Sequence, residues 1–584
     1  MKGFRSARHR VILLLALAPP ALAAPAAPPP PAGDVVVLPP LMVEWKNAPL
    51  RWSYLSYPGF ELLTVCSDET AIEFARRNHQ LSGLLRALVA DRFLFHSDVP
   101  ETHVLFNEQT GRAQSQEVIA AMAEAEGVKV KGDGSMQLAA PVELADFGSM
   151  VGGLKAANLQ PERIVFLPNL RLDDRDSLAV FSILPNRATW LTFGYAEDRL
   201  KFLLEARAPA LPPWFIAGLL GLFRQLQVGR DDVTLERFRW LDDEESRALV
   251  ADPEHPRILL PMARVFAGRR PAPGVEVTEN DRRWEAQCAL LVRWALDDRS
   301  GARRAALEQL VERLASEAPT EALVQECLGL GFADLRDRLS DYLSVAVNRR
   351  LELPKPAPAR MPRLVPRPAT PLEIARLRGN WERREIGFVR AQYPALAENY
   401  LIKARTTLHR VYDGGERDPR LLAELGLTEI EGGNPADARR FLEAAVAGGV
   451  VRPRAAYELA RLHYAALPPG AAPLTAAQAE TVLTPLRAAL ALAPPMHETY
   501  ALLAAVWIRS PTEPTPADMD HLNEGVRLFP EASSYVQRII LFNVARNDPV
   551  MAQRNAALGE LHATDDAARE RFAKWRTDLA APKP

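Results

Sequence analysis

Pro419-Arg-Leu-Leu-Ala-Glu-Leu-Gly-Leu-Thr-Glu-Ile-Glu-Gly-Gly-Asn-Pro-Ala-Asp-Ala-Arg-Arg-Phe-Leu-Glu-Ala-Ala-Val-Ala-Gly448 decides half of the fold. It reads as two helices, over 421–431 and 436–447, broken by Gly432-Gly433-Asn434-Pro435. Glycine and proline together stop one helix and start the next. The unit then starts again. Pro419 recurs as Pro453, Leu425 as Leu459 and Gly426 as Ala460, and the next first helix spans 455–466.

A helix pair returning at this offset, about 34 residues, resembles the tetratricopeptide repeat. The following unit starts near Pro495, later than that period would place it, and the insertion Pro468-Pro-Gly-Ala-Ala-Pro473 absorbs the excess. Further pairs are traced at 373–412 and 516–558, the latter broken at Asn547-Asp-Pro549. One pair cannot bury its own apolar face, so three to five pairs are expected to stack as an α-solenoid over 372–584.

Residues 354–371 hold prolines at 354, 356, 358, 362, 366, 368 and 371. Such a run favours polyproline II and is expected to act as a semi-rigid linker. Before it, 35–353 alternates differently. Strand-like runs at 35–43 and 60–65 precede a helix from Ser67 to about Asp91, which Ser67 caps and Asp68 and Glu69 favour at its N-terminus. Further strand signals follow at 102–106, 164–167 and 178–183, then helices at 195–206 and 214–225, and helical pattern over 284–350.

The segment Leu211-Pro-Pro-Trp-Phe-Ile-Ala-Gly-Leu-Leu-Gly-Leu-Phe223 resembles the Trp-x-x-Glu-Gly-Leu helix of peptidase MA-like (gluzincin) domains. The resemblance implies an α+β N-terminal domain, strands then helices, joined to the all-α repeats. It implies a zinc site as well, and the residues for one are missing. Ala217 stands where that helix supplies its third ligand, and Glu197, Asp198 and Lys201 fall on the His-Glu-x-x-His positions of the preceding helix. Two imidazoles one turn apart are what would reach a single zinc, with a glutamate as general base. No histidine lies between His103 and His255, and an ammonium at Lys201 would repel a cation. Glu197 and Lys201 instead read as an i, i+4 salt bridge. The expectation is a pseudoenzyme with no metal, no cofactor and no catalytic residue.

Other constellations are weaker. Leu172-Asp-Asp-Arg-Asp-Ser177 sets Asp173, Asp174 and Asp176 between two strands, either as a polar turn or, with Trp214, as a candidate groove for a cation or a sugar. Asp242-Asp-Glu-Glu245 reads as a solvated loop, and Gly329-Leu-Gly331 does not continue into a dinucleotide fingerprint. There is no phosphate-binding Gly-Lys-Ser/Thr and no G-x-S-x-G.

Composition bounds the rest. At 584 residues the chain needs more than one core, and a formal charge of −2 gives no polyanion-binding surface, so no nucleic acid partner is expected. Lys2, Arg5, Arg8 and Arg10, an apolar run over 11–18 and Ala21-Leu-Ala23 form a signal peptide over 1–23, followed by a Pro/Ala-rich leader over 24–34. The alternative for that segment is an uncleaved anchor. Nothing later is long enough to span a bilayer. Export permits disulfides, yet Cys66, Cys288 and Cys327 read as buried free thiols.

The expected protein is therefore an exported, periplasmic or extracellular, non-catalytic scaffold that takes a protein or peptide partner through its repeats. Two rivals stand beside it. One is a hydrolase using carboxylates, Asp198 with Asp173, Asp174 or Asp176, which needs two close acids with split pKa values. The other puts the whole function in the repeats.

Overall fold

The computed structural model describes residues 51–107, 129–130, 136–137, 169–184, 193–228, 233–241, 258–271, 275–353, 363–392, 394, 397–470 and 472–580. The expected signal, leader and first strand-like run, the 164–167 run and the Asp242–Glu245 loop lie outside these residues.

Six strands form the central sheet: β1 (Ser53–Tyr57), β2 (Phe60–Thr64), β3 (Glu101–Asn107), β6 (Asn169–Asp173), β7 (Leu178–Leu184) and β11 (Arg367–Pro368), in the order β11-β1-β2-β3-β7-β6. β2, β3 and β7 run parallel, and the outer strands are antiparallel. A short hairpin, β4 (Lys129–Val130) with β5 (Met136–Gln137), stands apart. Alternation along each strand sorts the side chains onto two faces. Phe60, Leu62 and Leu105 pack under α1 (Asp68–Leu88) with Ala71 and Phe74. Val180 packs under Phe202 of α2 (Phe193–Glu205) on the same side. Ser67 caps α1 as expected, its hydroxyl accepting from the Thr70 amide at 3.3 Å.

The opposite face is covered from the far end of the chain. Helix α9 (Pro371–Gln392) lays Leu377 and Trp381 on Leu63, Val104 and Ala179, and Trp381 stacks on Phe181 with ring centroids 5.3 Å apart. The C-terminal end of the proline tract thus enters the sheet: Ser53 and Tyr54 pair with Pro368 and Arg367. A proline on a two-residue edge strand breaks no inner ladder.

A second core is helical. It joins α3 (Pro213–Phe223), α4 (Met262–Ala267), α5 (Glu279–Leu296), α6 (Ala302–Arg313), α7 (Glu321–Leu328) and α8 (Phe332–Ala346), with β8 (Leu226–Val228), β9 (Val233–Leu235) and β10 (Leu351–Leu353) as a small sheet. α3 lies so close to α5 that a Cβ on Gly218 would stand 2.7 Å from the Cys288 carbonyl oxygen. Gly329, with φ of +72°, ends α7, and Gly331 opens α8, so that pair of glycines is a turn between helices.

From α9 onward the chain is a tetratricopeptide-like stack. The pairs are α9 with α10 (Ala397–Asp413), α11 (Pro419–Glu431) with α12 (Pro435–Ala447), α13 (Pro453–Ala465) with α14 (Ala476–Leu490), α15 (His497–Arg509) with α16 (Pro516–Leu528), and α17 (Ser533–Ala545) with α18 (Pro549–His562). A final helix, α19 (Asp566–Ala580), closes the array through Phe572. Five pairs match the upper end of the expected range, but the pair traced at 516–558 is displaced: α16 closes the fourth pair, and α17 with α18 make the fifth. The break within a pair is the same chemistry twice: Gly433 (φ +67°) and Asn547 (φ +59°) turn the chain, Asn434 and Asp548 cap the next helix, and Pro435 and Pro549 start it.

No helix among the described residues is long and apolar enough to cross a membrane. All three cysteines are free. Cys288 is fully buried, and burial pushes its thiol well up, whereas Cys66 and Cys327 are half-buried.

Candidate interaction site

The positions that would hold a gluzincin zinc sit on α2 and α3. Asp198 is exposed, and its backbone carbonyl accepts from Arg171. Glu197 does not pair with Lys201, correcting the i, i+4 expectation. Its carboxylate accepts from Arg224, just past α3, at 2.6 Å, while Lys201 lies 4.0 Å from Glu205. A guanidinium fork holds a carboxylate better than an ammonium one turn away. Between them Arg199 turns inward and clasps Glu101, which also pairs with His103 at 2.7 Å.

Ala217 is buried against the helical core. A carboxylate there would be desolvated with no cation to meet it. Ala217→Glu is therefore expected to lower unfolding free energy by about 3–5 kcal/mol, read as a fall in the urea midpoint with and without zinc. Rescue by zinc would show that α3 still faces a metal-competent cleft.

Trp214 does not line the candidate groove with the three aspartates. It is fully buried and stands edge-on to Phe266, 5.3 Å between centroids. The aspartates themselves meet other residues. β6 and β7 are joined by Asp174-Arg175-Asp176-Ser177, closed by the Asp174 amide donating to the Ser177 carbonyl at 2.8 Å. This turn is driven into the solenoid, where guanidiniums of the first and third pairs converge on it with Glu424 of the second between them. Arg383 of α9 donates to Asp174 at 2.6 Å and to Glu424 of α11 at 3.1 Å. Arg452, just before α13, contacts Asp174 at 3.1 Å, Asp176 at 3.3 Å and Glu424. Arg454 of α13 pairs with Asp174 and with Glu431 at 3.3 Å, and its backbone amide donates to Asp176 at 3.1 Å. Arg384 completes the cradle on the Leu172 carbonyl (2.8 Å) and the Ser177 hydroxyl (2.6 Å).

The electrostatics follow from this packing. Burial raises the Asp174 carboxyl, but Arg454 and Arg383 outweigh it and hold the group well below the usual range. Glu424 is held down the same way by Arg452 and Arg383. Burial pushes Arg384 down to about 10. Half-exposed Asp173 is raised, again by burial, against Arg171 at 2.8 Å. Asp174 is thus held as an anion by arginine, and Asp176 is bonded to Arg452 at 3.3 Å. Such contacts hold surfaces together. Two further links lie along the same seam: Arg175 to Glu498 of α15 at 3.3 Å, and Asp98 to the Ala493 amide at 2.7 Å. Among the described residues no group of three His, Cys, Asp or Glu side chains comes together as a metal would require.

The sequence reading missed Arg383, Arg384, Arg452, Arg454 and Glu424. Each looks like an ordinary surface charge of a repeat helix, and only Arg452-Pro453-Arg454, doubled around the repeat's first proline, carried any signal.

No family model matches the chain, and no curated protein sequence does. Among solved structures, the crystal structure of the APC/C hetero-tetramer Cut9-Hcn1 is similar at 13% identity and a TM-score of 0.22, over 67% of this chain and 73% of that one. The helix-pair architecture is read from the chain's own geometry.

Proposed function

We propose that the protein is a non-catalytic interaction scaffold whose solenoid grips its own N-terminal sheet chiefly with the first three helix pairs and takes a protein partner with the last pair. One observation carries the reading: the Asp174–Ser177 turn fills the faces of α9, α11 and α13 with buried ion pairs. At the far end, α17 and α18 expose an apolar strip of Leu541, Val544 and Val550, 52%, 42% and 76% exposed. In this reading the chain is exported after loss of residues 1–23, and the N-terminal region descends from a peptidase MA-like domain. The succession β2, α1, β3 and then adjacent α2 and α3 supports that descent, and the lack of histidine between His103 and His255 accords with a lost metal site.

The test is reproducible co-purification of one partner with the full chain from the cell envelope. Leu541→Asp with Val544→Asp should abolish it, and Asp173→Asn with Asp198→Asn should leave it intact. Turnover of a peptide or glycoside substrate lost on Asp173→Asn or Asp198→Asn would replace the scaffold with the carboxylate hydrolase.

A further inference from the structure

A cleft of about 270 Å³ opens where β6 meets α9 and the second and third helix pairs. Its polar wall holds three carboxylates, Asp173, Asp174 and Glu431, and three guanidiniums, Arg383, Arg384 and Arg454. Leu172 of β6 and Gly387 and Phe388 of α9 form its apolar part.

The glycine is informative. Glycine weakens a helix interior, so its presence there calls for a reason. At Gly379 of the same helix the reason is packing, since a Cβ would stand 2.4 Å from a Leu408 methyl. At Gly387 a Cβ would meet nothing within 4 Å. Neither packing nor a left-handed backbone requires a glycine there; what its missing side chain does is leave the cleft open beside the half-buried Phe388.

The wall also selects by charge. Three carboxylates oppose an added anion and three guanidiniums oppose an added cation, so the balanced wall favours an uncharged ligand. Burial already pushes Arg384 down to about 10, so more positive charge there is disfavoured. Hydrogen-bonding capacity remains on both sides. Nη1 of Arg383 has no partner among the described residues, and the Asp173 side chain is 38% exposed. A guanidinium only donates and a carboxylate only accepts, so a ligand meeting both must do both. Hydroxyl groups do.

We propose that this cleft binds one neutral hexose-sized sugar ring, its hydroxyls donating to Asp173 and accepting from Arg383, its C–H face on Phe388 above Gly387. The binding is independent of the partner strip on α17 and α18.

The experiment is saturation-transfer difference NMR on the full chain, with glucose, galactose, mannose and N-acetylglucosamine as probes and phosphate and benzoate as charged comparators. At least one hexose should bind saturably with Kd on the order of 1 mM. Gly387→Leu, whose Cβ would meet nothing within 4 Å and which favours the helix, should weaken that sugar at least about tenfold while the protein melts no lower than wild type. The proposal is overturned if no hexose saturates, if Gly387→Leu leaves Kd unchanged, or if only phosphate or benzoate binds.

Discussion

Asp174→Ala is expected to lower the unfolding free energy by about 3–5 kcal/mol, the cost of leaving buried charges without their partner. Asp174 is 3% exposed and is bonded to Arg383, Arg452 and Arg454, which are 1%, 6% and 11% exposed. Removing the one carboxylate leaves three guanidiniums against fewer anions, with Glu424, Asp176 and Glu431 as their remaining partners, where water reaches them poorly. The loss should not stay local. Arg383 lies on the helix that carries Trp381 onto the sheet, and Arg452 and Arg454 open the third pair. Urea unfolding followed by tryptophan fluorescence and by circular dichroism should therefore show both midpoints falling together. A shift below about 1 kcal/mol would mean that the node is wet and worth no more than surface ion pairs. The same packing bears on a chain cut at the proline tract. Residues 372–584 alone would bare Arg383, Arg452 and Arg454 with Asp174 gone, so the isolated array should melt well below the full chain.

How much of this was written in the sequence depends on the range of the interaction. The repeats were legible because Pro419 and Pro453, Gly433-Asn434-Pro435 and Asn547-Asp548-Pro549 are local devices that set dihedrals and caps within a few positions. Helices α1, α2 and α3 and strands β2, β3 and β7 were legible from local signals too, periodicity and, for α1, the Ser67 cap. The junction was not. Leu377 and Trp381 look like any amphipathic stripe of a repeat, and nothing local says that their stripe faces a sheet whose other strands lie far earlier in the chain. Asp173, Asp174 and Asp176 were singled out as a turn or a groove; Asp174 and Asp176 lie in the β6–β7 turn with arginine partners supplied from a distance, and Asp173 ends β6. Trp214 failed as a groove residue because its neighbour Phe266 lies on a separate helix with no sequence link to α3.

The full chain is expected to lose stability steeply below about pH 4, and the reason lies in four carboxylates. Burial is the largest influence on Glu61, Glu101, Asp174 and Glu424 and raises each of them. Arginine outweighs it every time: Arg376 at Glu61, Arg199 with help from His103 at Glu101, Arg454 and Arg383 at Asp174, Arg452 and Arg383 at Glu424. A carboxyl held lower in the folded chain binds fewer protons there than when unfolded. Its contribution is complete above the unfolded value near 4 and disappears as pH falls through the folded one, at up to about 1.4 kcal/mol per pH unit for each group. Burial lowers His463 and His562, which must charge on unfolding, so a shallower decline begins below about pH 6.5. Asp173 and Glu385 work the other way, because burial raises them and the folded chain gains on their protonation. Among the described residues eight further acids are held low beside these four, against two raised ones, so the net sign favours neutral pH. Urea midpoints should be flat from pH 8 to about 6.5, ease slightly to about 5 and drop sharply below 4. Asp174→Ala removes one of the four acids, so its curve should start lower and fall less steeply. A wild-type midpoint that holds to pH 3 would mean that these acids are not arginine-bound in solution, and the junction would then have to be held by Trp381 and its apolar neighbours alone.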